Sequence, residues 1–394
     1  MKKLLSIIMV MLMTFAMCNV CVSAQETDDS KDYFKYLWDL SGDLSDEEFG
    51  TLALRNYKFI QSLEPLIEED SFKALYKANV HLKQNAEGSR EEFIEAQNNI
   101  EMKLSVADGV IFLWDKDNIP APAEDAELTD EELDAAPLDG VGFVPLIVKC
   151  LLDDPSQAKG NIIAISGGAG KNRSNSGEAY PAVDVFNELG YNVFVLQYRI
   201  APYSRIDMGL DTQRAVRLVR YYAEQEGWGG QDMIACAGWS AGASCIMNAV
   251  NNFYGDINGT KVDDSYVPDE IDLTVNSDMD VAMPIYGGGF DEYCENPNIP
   301  AMYLCVGSED TVVGPEGEMA MYDYAIAHGI PAVIHIMEGA GHGFGVGQEG
   351  ALKGTEECAL WPGEADQFMM VNKGHSQGVA PTGVYTLENG IAAE

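Results

Sequence analysis

One serine in the sequence has the surroundings of a nucleophile. In ACAGWSAGAS (235–244), Ser240 lies between Gly238 and Gly242 at the end of an apolar run. A serine hydroxyl attacks little until a base takes its proton, so the motif gains meaning only from its partners. Two candidates follow. Asp310 stands in GSEDT just past the apolar run 301–306, and His342 stands in GAGHGFG just past the run 332–337. His342 would accept the Ser240 proton and return it to a leaving group, while Asp310 would fix the imidazole tautomer and stabilise the imidazolium. Taken singly, each residue has a plainer reading: Ser240 as a turn serine, Asp310 or Glu309 as a loop cap, His342 as an ordinary loop residue. Together, in this order and each after an apolar run, they favour acyl transfer.

Acyl transfer also requires donors for the charge that develops on the carbonyl oxygen. The N–H of Ala241 would open a helix directly after Ser240. Ser166, Gly167, Gly168 and Ala169 end an earlier apolar run, and bare N–H groups there are expected to face the same turn; such a donor is often worth about 3 kcal/mol. A phosphate-binding reading of this GGAGKN stretch fails, because Ile165 stands where a glycine is needed and Asn172 replaces Ser or Thr after Lys171. GVGQEG (345–350) matches a dinucleotide pattern in letters only, since it follows a loop and opens no helix.

The elements that would position these residues can be traced from about 140 onward. Short apolar runs at FVPLIVKCLL, NIIAI, NVFVLQY, DMIACAG, DVAMPIYGG, AMYLCVGS and AVIHIME read as strands. Helical stretches fall between them, at AYPAVDVFNELG, DTQRAVRLVRYYAEQEG, SAGASCIMNAVNNFYG and GEMAMYDYAIAHG, and TEECALWPGEADQFMMV closes the series as a broken helix. Such alternation predicts a mostly parallel central sheet with helices on both faces, and ligands at the carboxyl ends of its strands. The preceding region differs. Residues 25–107 read as a helical N-terminal extension, with Ser45, Ser71 and Ser89 as caps, and 108–139 as an acidic Pro/Ala-rich linker ahead of a catalytic domain at 140–394. The polar stretch from 255 to 280 suits a lid or a plain surface loop equally.

The N-terminus has two lysines, a long apolar run and small residues at Ser23 and Ala24, which predicts a secretory signal peptide at 1–24 and a secreted protein. The 394-residue chain carries 24 Lys+Arg against 63 Asp+Glu, a net charge of −39. That excess repels phosphate backbones and anionic headgroups, so neither nucleic acid nor, once the signal is removed, a membrane is an expected partner. Cys150, Cys236, Cys245, Cys294, Cys305 and Cys358 are scattered without a Cys-x-x-Cys pair, and a Cys294–Cys358 bridge is left open. His81, His328, His335, His342 and His375 never recur at ligand spacing, so no metal and no cofactor is expected.

The run from Ile162 to Ser244, with GWSAGAS, GSEDTVV and GHGFG, resembles the secreted esterase branch of the α/β-hydrolases. That branch includes enzymes of the acetyl-xylan-esterase and feruloyl-esterase type, and the resemblance spans about 140–372. It implies an α/β-hydrolase fold and a serine carboxylic-ester hydrolase acting on short acyl or aromatic esters of carbohydrates. Carried over by position, Ser240 is the nucleophile, Asp310 the acid, His342 the base, and Gly168, Ala169 and Ala241 the oxyanion donors. Tyr198–Pro202 (YRIAP) and Glu178 match positions that shape the site. Ser166 and Ala169 depart from the pattern, standing where relatives have Pro or His and a third Gly. A serine peptidase of the same fold, or a binding protein on a silent hydrolase fold, is the alternative.

Overall fold

The computed structural model describes residues 29–115, 119–120, 145–201, 203–252, 268–290, 294–348, 354–383 and 385. The expected signal peptide lies outside them, as do 116–118 and 121–139 of the expected linker and 255–267 of the expected lid or loop.

After a 3-10 helix at Asp29–Tyr36, three α-helices follow: α1 (Asp46–Ser62), α2 (Glu69–Lys83) and α3 (Ser89–Asn98). Ser45 caps α1 as expected, its hydroxyl accepting the Glu48 N–H while the Glu48 carboxylate accepts the Ser45 N–H at 2.8 Å. The other two caps differ from expectation. Ser71 lies inside α2, where its hydroxyl accepts the Glu101 N–H at 3.2 Å. Ser89 is the first residue of α3, because Gly88 in the left-handed conformation (φ 72°) makes the turn into the helix. A short helix α4 (Val106–Gly109) then leads into strand β1 (Val110–Phe112). The stretch from 108 therefore begins with sheet rather than linker.

Seven further strands follow: β2 (Leu146–Cys150), β3 (Asn161–Ile165), β4 (Asn192–Gln197), β5 (Ile234–Trp239), β6 (Val281–Ile285), β7 (Ala301–Gly307) and β8 (Ala332–Met337). The connecting helices are α5 (Ala179–Glu188), α6 (Arg205–Glu226), α7 (Ala241–Asn252), α8 (Glu270–Thr274), α9 (Pro315–Ala327) and α10 (Trp361–Val371). The order across the sheet is β1-β2-β4-β3-β5-β6-β7-β8. β2 runs antiparallel to both β1 and β4, and the pairs from β4 to β8 are parallel. β3 to β7 are buried along their whole length, as a sheet covered on both faces requires.

Helices α6, α7 and α9 cover one face through residues such as Val216, Val219, Ile246, Met247 and Met321. On the other face Ala182 and Phe186 of α5 and Trp361 and Phe368 of α10 pack with Phe49, Ile60 and Phe93 of α1 and α3 in one continuous core. The N-terminal helices thus complete a layer of the main fold. Tyr180 at the start of α5 ties into them by donating to the Gln61 carbonyl at 2.9 Å. The chain after β1 is drawn in by a buried ion pair between Arg199 and Asp211. Arg199 also donates to the Pro120 carbonyl (2.9 Å), and the Trp114 indole donates to Asp211 (3.0 Å). Arg199 of the YRIAP segment thus ties the chain after β1 to α6. No disulfide joins the six cysteines after residue 24 to one another, Cys294 and Cys358 included.

Candidate active site

The turn between β5 and α7 puts Ser240 at φ 50°, a left-handed conformation that disfavours any residue with a side chain by about 1–2 kcal/mol. Close packing enforces it. A Cβ on Gly242 would fall 1.8 Å from the Ile165 carbonyl oxygen, and one on Gly238 would fall 2.5 Å from that of Gly242. Both glycines are therefore dictated by the approach of β3 and the helix start. The Ser240 N–H is tied to the Ile285 carbonyl at 2.9 Å. The side chain is left half-buried at the carboxyl edge of the sheet, where the sequence motif placed it.

His342 arrives from the loop after β8. Its Nε2 lies 2.9 Å from Ser240 Oγ, and its Nδ1 lies 2.8 Å from Asp310 Oδ2. The other Asp310 oxygen accepts the N–H groups of Val312 (2.8 Å) and Val313 (3.1 Å). Burial pushes the Asp310 carboxyl up, but hydrogen bonds from His342 and these two amides outweigh it and hold the group below the usual carboxylate range. Glu309, the other acid in GSED, is exposed and turns its N–H to the Ala340 carbonyl. The histidine loop is fixed by Gly345, whose carbonyl accepts two indole N–H groups, from Trp239 at 3.3 Å and Trp361 at 3.0 Å.

Gly168 (φ 125°) and Ala169 (φ 57°) form a left-handed turn after β3, and Ala241 is the first residue of α7. Their N–H groups meet no acceptor among the described residues. The Gly167 N–H is committed to Glu178 Oε2 at 2.6 Å, and a Cβ on Gly167 would lie 2.8 Å from Ser240 Cβ, so this loop lies against the serine turn. Ser166 is fully buried and its hydroxyl donates to Asn175 Oδ1 at 2.6 Å. Ala169 takes up the left-handed conformation that a third glycine would supply.

Two buried acids stand behind these groups. Glu178 accepts from Gly167 on one oxygen and from the Tyr286 hydroxyl (3.0 Å) on the other. Burial pushes its pKa up to about 7 against the pull of those two bonds. The Tyr286 ring meets the His342 imidazole edge to face at 4.8 Å, and its oxygen accepts the Gly345 N–H at 3.2 Å. Glu178 thereby connects the loop after β3 to the loop that carries His342. Glu318 accepts the Gly287 N–H at 2.7 Å; its other oxygen has no hydrogen-bond partner among the described residues, and burial raises its pKa well above the carboxylate range. Gly287 in turn packs on Ser240, where a Cβ would fall 2.6 Å from the Ser240 carbonyl oxygen. Sequence reading reached Glu178 only through the resemblance and did not reach Tyr286 or Glu318. Among the described residues, no group of three His, Cys, Asp or Glu side chains is placed to hold a metal.

No family model matches the chain, and no curated protein does. Solved structures are similar to it. An acetyl ester-xyloside bifunctional hydrolase from Caldicellulosiruptor lactoaceticus shares 25% identity at a TM-score of 0.49, over 66% of this chain and 94% of that one. Esterase 2 of Thermogutta terrifontis, in its native form, shares 19% at 0.44 over 58% and 88%. Its apo form shares 21% at 0.45 over 58% and 90%. By its own strand order and the left-handed serine turn after β5, the chain has the α/β-hydrolase fold.

Proposed function

We propose that the protein is a serine hydrolase of carboxylic esters. The observation that carries this reading is the chain of contacts from Ser240 Oγ to His342 Nε2 and from His342 Nδ1 to Asp310. Ser240 Oγ attacks the ester carbonyl as its proton passes to His342 Nε2, and Asp310 stabilises the resulting imidazolium. The N–H groups of Gly168, Ala169 and Ala241 take the negative charge on the carbonyl oxygen. Collapse of the tetrahedral intermediate expels the alcohol, which leaves with the proton from His342. Water, deprotonated by the same imidazole, then releases the acid and restores Ser240.

The sequence resemblance supports the finer reading: short acyl or aromatic esters carried on carbohydrate, met outside the cell after removal of 1–24. Hydrolysis of an aryl acetate beside an aminoacyl anilide tests the reaction class, and acetylated xylan beside feruloyl esters tests the acyl group. The expected result is ester cleavage without anilide cleavage, reduced by about 10^4-fold or more in Ser240→Ala. Anilide cleavage at a comparable rate would assign a peptidase. Undiminished ester cleavage by Ser240→Ala would remove Ser240 from the chemistry.

A further inference from the structure

Two residues with side chains stand in the left-handed region at neighbouring strand ends, Ser240 after β5 (φ 50°) and Tyr286 after β6 (φ 42°). Such backbone persists only where its surroundings hold it. The strands pair in register there, Trp239 beside Ile285, so the two turns lie against one another. The Ser240 N–H donates to the Ile285 carbonyl at 2.9 Å, and a Cβ on Gly287 would fall 3.1 Å from Ser240 Cα. The Tyr286 ring meets the His342 imidazole at 4.8 Å. The Tyr286–Gly287 turn thus touches both the nucleophile and the base.

Two backbone N–H groups of this turn are held from neighbouring elements. The Tyr286 N–H donates to the Cys305 carbonyl at 2.7 Å, and the Gly287 N–H donates to Glu318 Oε1 at 2.7 Å. Glu318 stands in the first turn of α9, buried, and its other oxygen meets no hydrogen-bond partner among the described residues. The titratable groups that face it are Asp310 and the Cys305 thiol, and among the described residues no cation pairs with it. Burial pushes the Glu318 carboxyl toward its neutral form, the Gly287 N–H pulls the other way, and the Asp310 charge adds to the push. A helix start favours a negative charge, but by less than an unpaired buried carboxylate costs. The neutral carboxyl still offers an acceptor oxygen to Gly287 and adds no second negative charge beside Asp310.

We propose that Glu318 is a positioning residue for the hydrolysis, present as the neutral acid, which pins the Tyr286–Gly287 turn against Ser240 and His342. This role rests on Ser240 acting as the nucleophile. An anion in its place would raise the proton affinity of His342, which must be unprotonated to take the Ser240 proton.

Kinetics of aryl acetate hydrolysis and infrared difference spectra of Glu318 variants test the proposal. Glu318→Met removes the acceptor of the Gly287 N–H, and Glu318→Asp withdraws it by one methylene. Each is expected to lower kcat about tenfold with KM within about twofold; the shorter acid guards against misfolding of the apolar variant. Glu318→Gln keeps an acceptor oxygen and is expected to recover kcat to within about twofold of wild type. The acid limb of kcat/KM against pH should coincide in wild type and Glu318→Gln to about 0.2 pH unit. At pH 8 the wild-type spectrum minus that of Glu318→Gln should show the carbonyl band of a protonated carboxyl. Wild-type kcat in Glu318→Met or Glu318→Asp would overturn the positioning role. The neutral acid would be overturned by a loss in Glu318→Gln as large as in Glu318→Met, by an acid limb displaced to lower pH in Glu318→Gln, or by absence of the band. No turnover by the wild type would sink the Ser240 reading and the positioning role with it, while the band would still decide the protonation of Glu318.

Discussion

His342 and His335 have closely matched surroundings and differ in what they can do. Each has a carboxylate at Nδ1, Asp310 at 2.8 Å for His342 and Glu364 at 2.7 Å for His335. At Nε2 they part. His342 meets the Ser240 hydroxyl at 2.9 Å, whereas His335 meets a second carboxylate, Glu357, at 3.0 Å. Burial pulls the His335 pKa down, but hydrogen bonds to Glu364 and Glu357 outweigh it and hold the imidazole above its ordinary value. Two acids therefore keep a proton on His335, making it a cation that ties β8 to α10 and to the short helical turn Glu356–Ala359. One acid and one hydroxyl leave His342 a vacant place for a proton. The proposed chemistry rests on the unlike partner, and the number of hydrogen bonds does not distinguish the two rings.

The contrast can be broken most severely at the acid behind His342. Asp310→Asn is expected to lower kcat/KM for an aryl acetate by about 10^3-fold or more, since an amide favours the wrong imidazole tautomer. Glu309→Gln, at an exposed neighbour, is expected to stay within about twofold. Equal losses would shift the acid's role to Glu309.

A smaller effect is expected one layer back. Glu178→Ala strands the Gly167 N–H and the Tyr286 hydroxyl together, costing about 2 kcal/mol of stability and about tenfold in kcat. Glu178→Gln should restore most of the kcat, because its amide oxygen still accepts from Gly167. A kcat loss in Glu178→Gln as large as in Glu178→Ala would mean that charge, rather than position, is what Glu178 contributes.

His335→Gln sharpens the comparison from the other side. Activity should stay within about twofold, while stability at pH 6 falls by about 1–3 kcal/mol through the lost contacts to two half-buried carboxylates. The sign with pH follows from the raised folded pKa. The contribution of His335 is fully present below its ordinary value of 6.5 and is lost as pH rises through the higher folded value. Denaturant titrations should therefore show the gap between wild type and His335→Gln narrowing above pH 6.5. Glu364, held below its ordinary 4.5 by the His335 and Tyr303 hydrogen bonds against its burial, gives stability above that value that is lost as pH falls. A gap that widens above pH 6.5 would contradict a protonated His335.

Ser240, Asp310 and His342 were legible because each ends a strand run, and strand ends are where this class of sheet collects its chemistry. The run of strands and helices after 140 was legible from period and punctuation. β1 was not, since three residues carry too little pattern and its pairing with β2 is set by packing. Ser71 and Ser89 stand near helix starts, but a cap is fixed by backbone geometry at one position, which composition does not mark. The link from Gly167 through Glu178 to Tyr286 was out of reach for another reason. Glu178 and Tyr286 are distant in the chain and meet only because β3, β6 and α5 converge.

Reaction with a fluorophosphonate ester, followed by peptide mass mapping, tests the central claim most directly. One adduct on the peptide containing Ser240, absent from Ser240→Ala and strongly slowed in His342→Ala, is the expected result. An unlabelled wild-type protein, or an adduct on a different residue, would contradict the assignment of Ser240 as the nucleophile.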